Sequence, residues 1–205
     1  MFVHRIHPVA LALVLPLVAC VSTPSGRTEA TSDEWLDASP ALAEQIDRNA
    51  RRLPWVHGVE QRMELIHWFA SVGEPAYPTL LDLVEDPRPH VSGAAYAALG
   101  STRDARLVEY IRARPMPAGS SPALTLERAR TLLVLGDWST APVIIDGLRD
   151  DRPIVRALCA KALFEVTGER FGYDPSADAP AREAGVQRWE SWWHDRAVDP
   201  LLAQN

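Results

Sequence analysis

The feature that most constrains the fold of this chain is an internal repeat. When the sequence is shifted by 64 residues against itself, the segment 78–99 matches the segment 142–163. The matched pairs include an Asp-x-Arg-Pro sequence and an Ala-Leu pair, namely Asp86, Arg88, Pro89, Val91, Ala98 and Leu99 against Asp150, Arg152, Pro153, Val155, Ala162 and Leu163. Between them, Ala98-Leu99-Gly100 is echoed by Val134-Leu135-Gly136 at a shift of 36. Units of about 32 residues are typical of solenoids, in which each unit packs only against its neighbours.

Each unit of the repeat predicts two helices. The first helix has apolar residues at positions i, i+3, i+4 and i+7, which are Tyr77, Leu80, Leu81 and Val84 in the first copy. The second helix is rich in alanine and leucine and begins at Pro89 or Pro153, since a proline costs nothing in the first helical turn. Glycines stand where these helices are expected to end with a positive φ, at Gly73, Gly100, Gly136 and Gly168. We therefore expect residues 35–197 to be almost wholly helical.

The repeated pattern, Asp-x-Arg-Pro-x-Val-Arg-x-x-Ala-x-x-Ala-Leu, resembles the short HEAT-like (PBS-lyase-type) repeats. The resemblance covers residues 58–168 and is strongest over 150–163; Ser92 replaces the arginine found at Arg156, and the middle copy (124–148) lacks the Asp and Pro signatures. It implies an all-α fold, a short α-solenoid of HEAT-like helix pairs with N- and C-terminal capping helices. It also implies that Arg88 and Arg152 tie neighbouring repeats together, although both could instead meet an acidic partner.

The segments that flank the repeats have the composition of capping helices. Residues 35–57 contain Ser39-Pro40 followed by apolar residues spaced for an amphipathic helix, which are Leu42, Ile46, Ala50 and Leu53. Residues 169–205 place Val186, Trp189 and Trp193 on one helical face, where they can seal the last repeat. We expect most of the seven tryptophans to fill the core in this way.

The first twenty residues have the pattern of an export signal. A basic start is followed by an apolar run over 8–19, which is too short to span a membrane and is typical of a signal peptide (1–19). The run ends Leu17-Val18-Ala19-Cys20, which resembles the bacterial lipobox. That resemblance implies cleavage between Ala19 and Cys20, an acyl anchor such as palmitate on Cys20, and a flexible tether over 20–34. An ordinary signal peptide with an incidental cysteine is the alternative. Because residue 21 is valine rather than aspartate, the anchor would lie in the outer membrane, facing the periplasm, if the host is Gram-negative.

The chain carries few residues in patterns that indicate catalysis or metal binding. Glu64 and His67 form one Glu-x-x-His sequence, half of a di-iron signature, and we expect a surface pair. Cys159 falls on the alanine-rich face of a second helix, so we expect a buried small hydrophobe rather than a nucleophile. We expect no metal and no cofactor. A net charge of −6 opposes a nucleic-acid partner.

These patterns favour a binding protein over an enzyme. We expect an envelope-anchored, lipid-attached scaffold or adaptor for a protein partner of unknown identity, with its partner-binding residues also unknown. One alternative is an accessory factor or lyase-like enzyme, because HEAT-like repeats also occur in bilin lyases. Another is DNA-alkylation repair, which the acidic charge and the export signal oppose.

Overall fold

The structure, a computed structural model, describes residues 35–198. This part of the chain contains nine α-helices and no strand, so the predicted all-α fold is confirmed. No helix in it is long and apolar enough to cross a membrane. The predictions for the signal peptide 1–19, its cleavage at Ala19, lipid attachment at Cys20 and the tether 20–34 lie outside the described residues.

The nine helices are short and are separated by tight loops. They are α1 (Pro40–Arg52), α2 (Val59–Val72), α3 (Tyr77–Leu83), α4 (Pro89–Thr102), α5 (Leu107–Ala113), α6 (Pro122–Val134), α7 (Ala141–Asp146), α8 (Pro153–Thr167) and α9 (Ala179–Val198). Single turns of 3-10 helix follow α1 at Leu53–Trp55 and α7 at Gly147–Arg149, and precede α3 at Glu74–Ala76 and α7 at Trp138–Thr140.

Several helices begin where the sequence predicts. Pro89 and Pro153 are the first residues of α4 and α8. The hydroxyl of Ser39 accepts a hydrogen bond from the backbone N–H of Leu42 at 3.3 Å, which caps α1. An N-cap of this kind satisfies a backbone donor that has no partner within the helix.

Three of the four expected helix ends are confirmed, and one is wrong. Gly73, Gly136 and Gly168 have φ angles of 70°, 105° and 75°. Gly100, by contrast, lies inside α4, which continues to Thr102. Gly100 is buried against Thr131 of α6, and a Cβ in its place would lie 3.4 Å from the Thr131 hydroxyl, which is ordinary van der Waals contact.

The middle copy of the repeat aligns differently from the shift of 36 that the sequence suggested. Three buried residues at i, i+3 and i+4 recur in α4, α6 and α8, and they are Ala95, Ala98 and Leu99, then Ala129, Leu132 and Leu133, then Cys159, Ala162 and Leu163. Their numbering gives a shift of 34 between α4 and α6. Gly100 and Gly136 are not equivalent positions, because the first lies inside α4 and the second follows the end of α6 with a positive φ.

The helices pack in the order of the chain. The helices α2, α4, α6 and α8, called the second helices below, each pack against the next. The helices α3 and α7 pack against α4 and α8, while α1 contacts α3 and α9 contacts α7. This order is compatible with the predicted solenoid of helix pairs.

The aromatic residues near the two ends of the described part differ in burial. Val186 and Trp189 of α9 are each 1% exposed, and Trp193 is half-buried, which agrees with the predicted sealing face. The ring of Phe171 meets Trp189 edge-on at 4.7 Å between centroids. Trp55 is 76% exposed, so the expectation that tryptophans fill the core is wrong for this residue.

Candidate functional site

An open groove of about 710 Å³ crosses the four second helices. All its lining residues lie on α2, α4, α6 and α8 or directly at their ends. We call it the second-helix groove. No sequence pattern predicted partner-binding residues, and this groove is the candidate site that the structure adds.

The floor of the groove is made of small and apolar residues. The central helix α4 contributes Gly93, Ala94, Ala97 and Gly100. The neighbouring helices add larger apolar side chains, which are Met63 and Ile66 from α2, Leu124 and Val134 from α6, and Leu158 from α8. Met63 is 43% exposed at this floor, so apolar surface is available to a bound molecule.

The walls of the groove carry more positive than negative side chains. The cations are Arg62, Arg103, Arg130 and Lys161, and the carboxylates are Glu127 and Glu165. Glu127 is paired with Arg130, whose Nε donates to Oε2 at 3.2 Å. Glu165 is shared between Arg103 at 3.0 Å and Lys161 at 3.5 Å. Arg62 forms no ion pair with any acidic side chain of residues 35–198.

Arg103 holds an unusual backbone conformation at the edge of the groove. It ends α4 with a φ of 59°, in the left-handed region that favours glycine. A side chain in this conformation costs free energy, which the surrounding contacts must offset. Its guanidinium reaches Glu165 on α8, beyond the intervening helix α6, and so links the end of α4 to α8.

The two arginines singled out in the sequence do not lie in the groove, and they do not tie repeats together. The backbone N–H and Nε of Arg88 donate to Oδ1 of Asp86 at 2.9 and 2.8 Å, and its Nη2 donates to Oδ2 at 2.6 Å. Arg152 repeats these bonds to Asp150 at 2.9, 2.9 and 2.8 Å. The expectation of ties between repeats is therefore wrong for both, because each arginine closes its own loop before a second helix.

These bonds shift the acidity of the loop aspartates. The side chain and backbone N–H of Arg152 lower the pKa of Asp150 to about 2, against a value of 3.8 for an ordinary aspartate. The Arg88 guanidinium likewise lowers the pKa of Asp86. The same Asp-x-Arg arrangement occurs a third time at Asp104 and Arg106, before α5. This third copy was not predicted, although Asp104 and Arg106 have the same spacing in the sequence as the other two pairs.

Other arginines do tie neighbouring units together. Arg106 pairs with Glu74, which precedes α3. Arg112 of α5 donates to both carboxylate oxygens of Asp137 at 2.9 and 2.7 Å. Arg149 binds Glu183 and Glu190 of α9 at 2.7 Å each. No short spacing marks these pairs in the sequence, because the partners lie 25 to 41 residues apart.

Of the remaining candidate residues in the described part of the chain, only His67 lines the groove. Cys159 is fully buried, as expected, and burial raises the pKa of its thiol to about 12, so the thiol stays protonated at neutral pH. His67 lines the groove, whereas Glu64 does not, and both are exposed. Within residues 35–198, no three His, Cys, Asp or Glu side chains come together as a metal site would require.

Comparison of this chain with models of protein families, with curated proteins and with solved structures found no match.

Proposed function

We propose that this chain is an envelope-anchored lipoprotein of HEAT-like repeats, which acts as a scaffold by holding a protein partner in the second-helix groove. The observation that carries the proposal is the groove itself, which continues across four successive helices. A binding scaffold needs an extended concave surface rather than a preorganised set of catalytic groups.

The length of the groove favours a polypeptide over a small molecule. Helices that pack side by side lie about 8–10 Å apart, so four in a row extend over about 24–30 Å. An extended peptide covers this distance with roughly eight residues, and a helix with roughly 16–20 residues. Small-molecule pockets, by contrast, bury most of the surface of their ligand.

The chain enters the folded part away from the groove. Trp35 packs against Tyr77 of α3 and Tyr110 of α5, with ring centroids 4.8 and 5.0 Å apart, and the guanidinium of Arg106 lies over its ring. None of these residues lines the groove. A membrane tether that precedes Trp35 would therefore join the fold at residues that leave the binding surface free.

The binding role can be tested by filling the groove. Ala97 lies half-buried on the groove floor, and Ala113 is exposed on α5 outside the groove. We expect wild type and Ala113→Trp to capture the same stoichiometric partner from solubilised envelopes, and Ala97→Trp to lose it. Circular dichroism must show the same melting temperature for both variants. If a folded Ala97→Trp retains the partner, the groove is not the binding surface.

The anchor is tested separately by Cys20→Ser. Each buried acyl methylene contributes about 0.8 kcal/mol to membrane affinity, so loss of the acyl chains should release the protein from the membrane fraction. Palmitate labelling of wild type gives the matching positive result. A serine variant that still sediments with membranes in high salt, or a wild type that takes up no label, would contradict the lipoprotein assignment.

A further inference from the structure

We infer that the segment held in the second-helix groove is an acidic, amphipathic segment of another protein. This inference rests on the proposed function and specifies its partner. It is carried by two features of the groove that a ligand must match together: an excess of positive charge on the walls and an apolar floor, at which Met63 is 43% exposed and Ala97, Val134 and Leu158 are half-buried.

The charge of the groove is opposite in sign to that of the chain. The chain has a net charge of −6, yet the groove contains four cations and two carboxylates. Both carboxylates already contact cations of the groove, because Glu127 binds Arg130 and Glu165 is shared by two partners. Two positive charges are thus left over for a ligand. Charge complementarity of this kind selects the partner and speeds its association.

The cations of the groove lie on both sides of its floor. Arg62 stands on α2, at one side of the groove, and Lys161 stands on α8, at the other. Lys161 is exposed over 66% of its side chain and meets Glu165 only at 3.5 Å, so it can turn to a ligand at little cost. A bound segment that reaches both cations must cross the floor of α4 and α6, where Ala94, Ala97 and Leu124 lie.

The apolar floor distinguishes an acidic polypeptide from a nucleic acid. Binding to nucleic acid depends on neutralising many phosphates, commonly six to ten, and the groove offers only two surplus charges. The accessible apolar side chains of Met63, Val134 and Leu158 instead favour apolar side chains, which an amphipathic peptide supplies and a phosphate backbone does not. We therefore expect acidic residues at the walls of the complex and apolar residues at its floor.

The test measures the affinity of the full chain, in neutral detergent, for defined probes. The probe is a fluorescent 16-residue amphipathic peptide with leucines on one face and glutamates on the other. Its controls are the same peptide with lysine in place of every glutamate, and a single-stranded oligonucleotide of 16 nucleotides. We expect the glutamate peptide to bind most tightly, and to bind less tightly as salt is raised.

Charge variants of the groove should change this affinity in opposite directions. Arg62→Gln and Lys161→Gln should each weaken binding of the glutamate peptide about two- to five-fold, the range for exposed ion pairs. Glu165→Gln should strengthen binding about two- to five-fold, because it frees Arg103 and Lys161. Arg52 is exposed on α1 and lies outside the groove, so Arg52→Gln should leave binding unchanged. A variant that merely damaged the groove would weaken binding, so the gain from Glu165→Gln separates charge from structure.

Three results would overturn the inference: tighter binding of the lysine peptide, tighter binding of the oligonucleotide, or weaker binding after Glu165→Gln. They are distinguishable from failure of the scaffold proposal. If Ala97→Trp abolishes capture of the partner while the charge variants have no effect, the groove binds a protein that is not acidic. If Ala97→Trp has no effect, the groove is not a binding surface and both proposals fail.

Discussion

The helices α4 and α8 carry similar residues on their buried face but different residues on the face that lines the groove. On the buried face, Ala95, Ala98 and Leu99 match Cys159, Ala162 and Leu163, and all six are 0% exposed. On the groove face, the corresponding residues are Ala94, Ala97 and Ser101 against Leu158, Lys161 and Glu165. Packing thus fixes one face of the repeated unit, while the other face varies. Because of this variation, α4 contributes small residues to the floor of the groove, whereas α8 contributes the charged side chains of Lys161 and Glu165 to its wall.

The same two units also differ in how they fill space at one contact. A Cβ added to Gly147 would lie 2.7 Å from the Sγ of Cys159, so the second copy pairs a glycine with a larger residue. The corresponding positions of the first copy are Leu83 and Ala95, where the larger side chain is on the other partner. The order of large and small residues at these two positions is thus reversed between the units, which is the kind of exchange that close-packed interiors tolerate.

The largest expected effect tests the shared face. Leu163→Ala and Leu99→Ala should each lower the free energy of unfolding by about 2–5 kcal/mol, because both side chains are fully buried and leave a cavity. Chemical denaturation measures both values. If one of the two costs less than about 0.5 kcal/mol, as a surface change would, the units do not share a core position.

The next largest effect on stability distinguishes the two units at the equivalent positions Ser92 and Arg156. Arg156 is buried and donates to the carbonyls of Asp150, Asp151 and Pro175 at 2.9, 2.9 and 3.0 Å. Arg156→Met keeps the apolar stem and leaves those acceptors without their donor, so we expect a loss of about 1–3 kcal/mol. Ser92→Ala removes only a 3.4 Å bond to the Arg88 carbonyl and should cost less than about 1 kcal/mol. Equal losses would contradict this difference between the units.

A smaller effect on stability is expected at Gly147, which packs against Cys159. Gly147→Ala should destabilise the fold by about 1–2 kcal/mol, because overpacking outweighs the gain from a less flexible unfolded chain. The same change in a Cys159→Ala background should cost less, since the Sγ is gone and the remaining tight contact of the added Cβ is with Cδ1 of Leu126 at 3.1 Å. Thermal melting of the two single variants and the double variant measures this coupling. Strict additivity would show that the two positions do not interact.

The smallest effect is the pH dependence of the Asp-x-Arg loops. The pKa of Asp150 is lowered in the folded state, so its bond to Arg152 stabilises the fold above about pH 4, and this stability is lost as the pH falls towards 2. The side chain is partly exposed, so we expect less than about 1 kcal/mol. Asp150→Asn should flatten the stability profile between pH 4 and pH 2 by that amount. An unchanged profile would mean that the loop contributes no acid sensitivity.

The sequence predicted the fold far better than it predicted the site. The spacing of Tyr77, Leu80 and Leu81 and the prolines at Pro89 and Pro153 mark helices directly, because local rules govern helix faces and first turns. No comparable sequence pattern identifies the residues of the groove. Arg62 is half-buried and Lys161 is exposed, on helices about a hundred residues apart in the sequence, and only the stacking of the units brings them to one groove. Gly100 shows the limit of local reasoning, since it lies buried inside α4 against α6 rather than at the end of a helix.

The most direct test of the central claim is photo-crosslinking in intact cells. A photoreactive amino acid placed at Ser101, which is exposed in the groove, is compared with one placed at Ala113, which is exposed on α5 outside it. We predict a discrete crosslinked product with one partner protein from position 101 and none from position 113. Products from position 113 alone, or equally from both positions, would contradict the claim that the second-helix groove is the binding surface.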